Sequence, residues 1–355
     1  MSAIPSLVDR EPSATRPAPD PAQLLLQMST GYVVSAALWV AAELKVADVM
    51  GASAKPVAEL ARKTKTNEDA LFRTLRLLAM VGIFAETEPR YFALTPSAEL
   101  LRSDHRQSMR DTVVWLADPF HYKVAAEMLH SVRTGQPTVE HVTGKPAFEY
   151  FASDKVEFDR FHRAMTNLSA MAVSAALEAY DFSGCDTIVD VGGGHGFAIC
   201  EILRKYPQMK GVLFDLKDIV PGADQRIREL GLEKRCRTEH GDFFKAVPKG
   251  CDIYFMKHIL HDWTDEQATT ILRNCRTSFE SQGKRSGKIV LLEFVVPRGN
   301  EPHPSKVIDI EMLFFPGGRE RMENEWRDLF SRAGFRPTRI VPTKSPFRVI
   351  EAAIV

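Results

Sequence analysis

A lysine, two histidines and an aspartate leave one apolar run together in Phe255-Met-Lys-His-Ile-Leu-His-Asp-Trp-Thr264. The apolar lead-in reads as a short buried strand, so the polar residues gather at its carboxyl end. Thr264-Asp-Glu-Gln267 has the spacing of a capping box and starts a helix. His261 therefore sits just before a rigid helix start, with Asp262 beside it. A neutral imidazole oriented by a carboxylate is a general base near pH 7. His258 competes for that role, and both histidines also suit an ordinary strand-to-helix loop. Two later carboxylates could hold the imidazole. Glu293 stands inside Val290-Leu-Leu-Glu-Phe-Val-Val296, where a carboxylate is costly unless partnered. Glu320 stands in Gly317-Gly-Arg-Glu-Arg321, a spacing that equally suits a surface charge.

A second constellation lies upstream. Thr187-Ile-Val-Asp-Val-Gly-Gly-Gly-His-Gly196 reads as a buried strand that ends in a glycine turn, and the following apolar residues at helical spacing stop at Pro207. Glycine lets such a turn take φ > 0 and lets a ligand lie against bare backbone, with Gly192 in the turn. A further strand, Gly211-Val-Leu-Phe-Asp215, places Asp215 where both hydroxyls of a nucleoside ribose would lie. The dinucleotide fingerprint fails, because its third glycine position is Phe197, and no Walker lysine follows. The pattern fits S-adenosylmethionine (SAM) better than NAD; a turn that needs its glycines only for geometry is the competing account. Gly241-Asp-Phe-Phe244 ends the next strand, so that Asp242 could accept from an adenine amino group and Phe243 could stack on the ring. A surface turn would look the same.

The elements that must position these groups alternate from Asp186 onward. Strands are expected at 187–191, 211–215, 236–240, 253–257 and 288–296, with two late ones at 337–341 and 347–355 joined by a short turn and able to pair antiparallel. This predicts an α/β fold with an open parallel sheet covered by helices on both faces. Before it, 108–180 reads as a helical, aromatic- and methionine-rich segment: core, or in part the wall for a planar apolar ligand. Residues 22–107 have the outline of a winged helix: apolar helices over 22–50, a helix–turn–helix, then a hairpin. The first helices are apolar nearly all round, so a partner chain is expected to bury them. Residues 1–21, rich in proline, are expected to be disordered. The division is thus 1–21, 22–107, 108–180 and 181–355.

Composition narrows the classes. Lys+Arg and Asp+Glu both number 46, which gives no electrostatic case for nucleic acid or a membrane surface. No apolar run reaches membrane-span length by eye. The five cysteines are scattered without a C-x-x-C pair, as in a cytoplasmic protein with reduced thiols, and no cluster suggests a metal.

The motifs DVGGGHG, FDL, GDFF, FMKHILHDW, LLEFVVP and GGRERMENEWRDLFSRAGF, in this order, resemble the large SAM-dependent small-molecule O-methyltransferases. These include the plant caffeic acid and isoflavone enzymes, acetylserotonin O-methyltransferase, and bacterial enzymes acting on phenazines and polyketides. The resemblance implies a Rossmann-like methyltransferase domain behind an N-terminal, mostly helical winged-helix dimerisation domain, hence a homodimer. It implies that Gly192 lies in the SAM loop, that Asp215 binds ribose, that Asp242 and Phe243 contact adenine, and that Lys257 lines the cofactor pocket. It further implies that Met165 and Ser169 lie near the methionine part of SAM, and that Glu293 and Glu320 flank His261 as the base. Phe315 and Leu168 replace polar residues of the lignin-pathway members, so a more apolar acceptor is expected than a monolignol. The expected reaction is methyl transfer to a hydroxyl of an aromatic secondary metabolite, leaving S-adenosylhomocysteine. N-methylation on the same scaffold and a SAM-sensing winged-helix regulator are the alternatives.

Overall fold

A computed structural model describes residues 20–283 and 286–355. The tail expected to be disordered lies outside the described residues except for Asp20 and Pro21, which open the first helix. Asp20 accepts from the backbone N–H groups of Ala22 (2.8 Å) and Gln23 (3.2 Å), and proline occupies the first turn, where its missing N–H costs nothing.

Helices Pro21–Glu43 and Val46–Met50 precede strand β1 (Lys55–Pro56). Helices Val57–Thr64 and Glu68–Met80 then lead into the hairpin of β2 (Phe84–Glu88) and β3 (Tyr91–Leu94), and β1 adds to β3 to give the order β1-β3-β2. This is the winged-helix outline. Its core joins Ala41, Met50, Leu60, Leu75, Leu78 and Phe92. The Pro21–Glu43 helix buries only the small residues Ala37, Ala41 and Ala42 in it, with Leu38 packed against it, and Leu25, Leu26, Met28 and Tyr32 stay exposed. Contrary to the expectation that no run is long enough, this helix is long and apolar enough to cross a membrane by length and composition.

Short helices follow, and then the 25-residue helix Lys155–Ala179. It packs on the helix Arg110–Leu116 at one end and on the helix Phe197–Lys205 at the other, so it bridges the N-terminal helices and the sheet. The sheet comprises β4 (Thr187–Val191), β5 (Lys210–Asp215), β6 (Cys236–His240), β7 (Ile253–Lys257), β8 (Lys288–Glu293), β9 (Phe335–Pro342) and β10 (Arg348–Ile354), in the order β6-β5-β4-β7-β8-β10-β9. Side chains alternate along the strands. Ile188, Leu213, Phe255 and Leu292 face one core, while Val189, Phe214, Tyr254 and Leu291 face the other. Helices cover both faces, which is why the central strands β4, β5, β7 and β8 read as largely apolar runs, unlike the edge strands β6 and β9.

One expectation needs correction. The sheet is mixed, because β10 lies between β8 and β9 and is antiparallel to both. The turn between β9 and β10 lets the last strand fold straight back, which a parallel neighbour would not allow. The order reverses at β4, so the carboxyl ends of β4 and β7 flank the crevice where such sheets bind ligands.

The exposed face of the first helix gives the first prediction. Met28→Glu combined with Tyr32→Glu is expected to turn a dimer into monomers in analytical ultracentrifugation, with unchanged helix content. An intact dimer would place the interface elsewhere.

Candidate active site

The glycine turn after β4 is built for close approach. Gly192, Gly194 and Gly196 all have positive φ (70°, 57° and 77°). A Cβ on Gly192 would lie 2.4 Å from Ile259 Cδ1, so this glycine lets the β7 loop pack against the turn. A Cβ on Gly194 would meet nothing within 4 Å; its backbone faces open space, and its N–H donates to Asp215 Oδ2 at 2.8 Å. Asp215 Oδ1 accepts from Leu216 N–H at 2.7 Å. Burial raises the Asp215 pKa against these two bonds. Each oxygen keeps a lone pair for a further donor.

Asp242 accepts from Phe244 N–H at 2.9 Å and lies 3.4 Å from Lys245 Nζ. Phe243 packs edge-on against Phe244 and Trp263, with its ring only half-buried. Ser169 is buried and donates to Met165 O at 2.6 Å, while Met165 packs against an aromatic cluster. Lys257, at the end of β7, has its pKa lowered by burial and held up by Asp190, Glu293 and Asp262.

His258 takes the left-handed conformation (φ 53°), which only a few per cent of non-glycine residues adopt. The chain turns so that the N–H groups of Ile259 and Leu260 both donate to Glu293 Oε1, at 3.0 and 3.1 Å. Glu293 is fully buried at the end of β8, and burial pushes its pKa up to about 7. Its partner is thus the backbone before His261 rather than the imidazole itself. Glu320 alone meets the ring, Oε1 to Nδ1, at 2.8 Å. Asp262 Oδ1 lies 3.4 Å from Nε2. Burial disfavours the imidazolium, but Asp262, Glu320 and Glu293 outweigh it and raise the His261 pKa to about 10. His258 goes the other way: burial beside His261 and Lys257 keeps it neutral, and its Nε2 has no hydrogen-bond partner among the described residues.

His261, Glu293 and Glu320 can bring one ligand atom each within 4.8 Å of one another, which no spacing in the sequence suggests. The hydrogen bonds just described already engage His261 Nδ1 and one oxygen of each glutamate. Thr264 completes the expected capping box, with its Oγ1 3.3 Å from Gln267 N–H and its own N–H 3.1 Å from Gln267 Oε1. Such a cap typically contributes about 1 kcal/mol.

Several residues were missed in the sequence. Arg321 has no exposure to solvent; it donates to Leu260 O (2.8 Å) and Trp263 O (2.9 Å) and pairs with Asp265 Oδ1 (2.9 Å). Asp190 is buried, with a pKa raised to about 7 by burial, and its Oδ2 has no hydrogen-bond partner among the described residues. His195 of the glycine turn stacks on His162 of the long helix at 4.7 Å. Asp118 holds His121 among aromatic rings. Nothing in the local composition separates a buried arginine or aspartate from an exposed one in such turns.

A doubly wound sheet with a bare glycine turn, a carboxylate at the end of the neighbouring strand and an imidazole on the loop after β7 forms a crevice of the kind that binds nucleoside cofactors. The O-methyltransferase domain family matches residues 125–336, and the O-methyltransferase dimerisation domain family matches residues 26–104. The chain belongs to this O-methyltransferase family. It is 40% identical to the phenazine O-methyltransferase PhzM of Lysobacter antibioticus, over 93% of this chain and 95% of that one. The crystal structure of LaPhzM superposes with a TM-score of 0.87 at 38% identity, covering 94% and 99% of the two chains. The S-adenosylhomocysteine-bound structure of CalO1, a methyltransferase in calicheamicin biosynthesis, gives 0.83 at 32% identity, covering 95% and 100%. The protein is a SAM-dependent O-methyltransferase of small-molecule secondary metabolism, and its dimerisation domain supports a homodimer.

Gly318 tests the packing behind the site. A Cβ there would lie 2.0 Å from the backbone oxygen of His261, where Arg319 N–H already donates at 2.8 Å. Backbone cannot yield as a flexible side chain can. Gly318→Ala is expected to cut turnover at least tenfold while circular dichroism shows a folded protein; unchanged turnover would mean that the loop tolerates the shift.

Proposed function

We propose that the acceptor is a hydroxyl on a planar aromatic metabolite and that His261 removes its proton. The observation that carries this is the buried His261–Glu320 pair, set beside a wall of rings. Trp263, two residues on, meets Phe148 at 5.5 Å, and Phe148 joins Phe151, Phe161, Trp115 and Phe315 in one cluster. Gly192, Asp215, Asp242, Phe243, Lys257, Met165 and Ser169 are read as the cofactor side, with Asp215 on the ribose hydroxyls. The winged-helix part (22–107), the helical segment (108–180) and the sheet domain (181–355) are read as dimerising, acceptor-binding and cofactor-binding units. No disulfide joins the cysteines among the described residues, in keeping with a reducing cytoplasm.

When bound, SAM supplies an electrophilic sulfonium methyl. The chain's part is to position the acceptor, exclude water and take one proton. Glu320 fixes the ring through Nδ1 and leaves Nε2 for the acceptor hydroxyl, which competes there only with the weak 3.4 Å approach of Asp262. A His261 pKa of about 10 is close to that of an ordinary phenol, so proton transfer between them is nearly balanced. His258, neutral and turned into the packing between Phe294 and Phe347, has no such access. The reaction as proposed needs no metal.

Two predictions follow from these roles. Asp215→Ala removes contacts of a kind that contribute roughly 1.5–3 kcal/mol each, so calorimetry should show SAM affinity at least tenfold weaker. Unchanged affinity would make Asp215 purely a brace for Gly194.

His261→Ala should lower kcat on a neutral phenol by about 100-fold or more, with SAM affinity nearly constant. The pH dependence has a definite sign. The neutral imidazole is the active form, and its pKa lies near 10, so below that value its fraction rises about tenfold per pH unit. In the wild type kcat/KM should therefore climb with pH. Glu320→Gln removes one of the charges that raise the His261 pKa, and should move this limb to lower pH. A flat profile, or near-full turnover in His261→Ala, would leave proximity alone to drive the reaction.

A further inference from the structure

The ring wall ends in two unpaired acceptors. Phe161 meets Trp115 at 5.4 Å, and Trp115 meets His121 edge-on at 4.6 Å, while Phe315 stacks on His121 at 4.6 Å. Fully buried Asp118 caps the helix Pro119–Ala126. Its Oδ1 accepts from His121 N–H at 2.7 Å and lies 2.9 Å from His121 Nδ1. A carboxylate on Nδ1 holds the proton there and leaves a lone pair on Nε2. Among the described residues Nε2 has no hydrogen-bond partner, and the ring is only 5% exposed. Glu311 lies one turn before Phe315 in the helix Ser305–Phe314, so both lean to the same face. Its carboxylate also has no hydrogen-bond partner among the described residues. Burial raises its pKa, while His121 lowers it and Asp118 raises it, as expected of groups in one pocket. Neither acceptor has a donor among the described residues, so each keeps a lone pair for water or for a ligand group that reaches it.

We infer that His121 and Glu311 form a recognition end of the acceptor pocket that takes a second hydrogen-bond donor, a hydroxyl or amino group carried by the aromatic acceptor away from the hydroxyl to be methylated. This rests on the aromatic-acceptor reading and makes it narrower. A site built to bond a substrate OH or NH discriminates strongly against the analogue that lacks it, because its own polar groups are then left unpaired. The two residues act in binding the acceptor and take no part in the proton transfer.

The test uses the full-length protein with SAM, 1-naphthol, and the isomeric dihydroxy- and aminohydroxynaphthalenes, with kcat/KM read by mass for one added methyl. In the wild type at least one doubly substituted isomer should exceed 1-naphthol tenfold or more. His121→Phe and Glu311→Met should each cut that ratio at least tenfold; Glu311 is only partly buried, so its variant reports even where the histidine variant fails to fold. Equal losses on both kinds of acceptor would show a packing role and overturn the inference, as would the absence of any donor preference in the wild type. If the wild type binds SAM but methylates no naphthalene, the aromatic-acceptor reading falls and takes this inference with it. Methylation without donor preference overturns this inference alone.

Discussion

The Arg321 guanidinium has no exposure to solvent, and the loop that carries His261 is threaded around it. Its nitrogens reach the carbonyls of Leu260 and Trp263 on either side of His261 and the carboxylate that opens the next helix. Its face lies over Trp326, and its own carbonyl accepts from Val296 N–H just beyond β8. A buried charge is tolerated only when its donors are used, and these are. Glu320, the preceding residue, thereby arrives beside His261 in one orientation, with its N–H held by Asp309 at 2.8 Å. Removing one partner of a buried pair typically costs about 3–5 kcal/mol, so the geometry of the proposed base and the stability of this corner depend on the same contacts.

The charges on the rim are unbalanced by design of the strand ends. Asp190, Asp215, Asp262, Glu293 and Glu320 gather there against Lys257 and His261. Burial raises the pKa of Asp190 to about 7 and of Asp262 to about 6, which marks carboxylates short of cations. In the proposed complex the cofactor, with a sulfonium, an ammonium and one carboxylate group, would bring a net positive charge to this rim. It would draw the carboxylates back to their ionised forms, and it would oppose the imidazolium of His261, easing loss of the proton that the acceptor must then replace.

Much of this was legible in the sequence, for reasons that are local. β4, β6 and β7 begin and end at the residues expected; β4 and β7 are mostly apolar runs bounded by glycine or charge, while β6, Cys-Arg-Thr-Glu-His, is a largely polar edge strand. The capping box at Thr264 fixed the start of its helix. The insertion of β10 between β8 and β9 was not legible, since a run buried on both sides does not state its direction. Glu293 was read as a neighbour of His261, and it is; that it holds the backbone rather than the ring depends on the left-handed turn at His258, and histidine gives no sign of that. Arg321 and Asp190 are ordinary charged residues in letters alone. They become parts of the site only when segments some 60 to 130 positions apart close over them.

The N-terminal module is more than a handle for pairing. The helix Arg110–Leu116 packs on both the first helix and the long helix Lys155–Ala179. Arg110 donates to Ala42 O at 3.0 Å at one end, and Trp115 enters the aromatic wall at the other. Tyr122, next to His121, donates to Tyr32 O at 3.3 Å. The exposed apolar side of the first helix therefore stands one layer behind the acceptor wall. A partner chain that buries that side would stiffen the helix, and through Arg110 and Tyr122 would limit how far Trp115 and His121 can move.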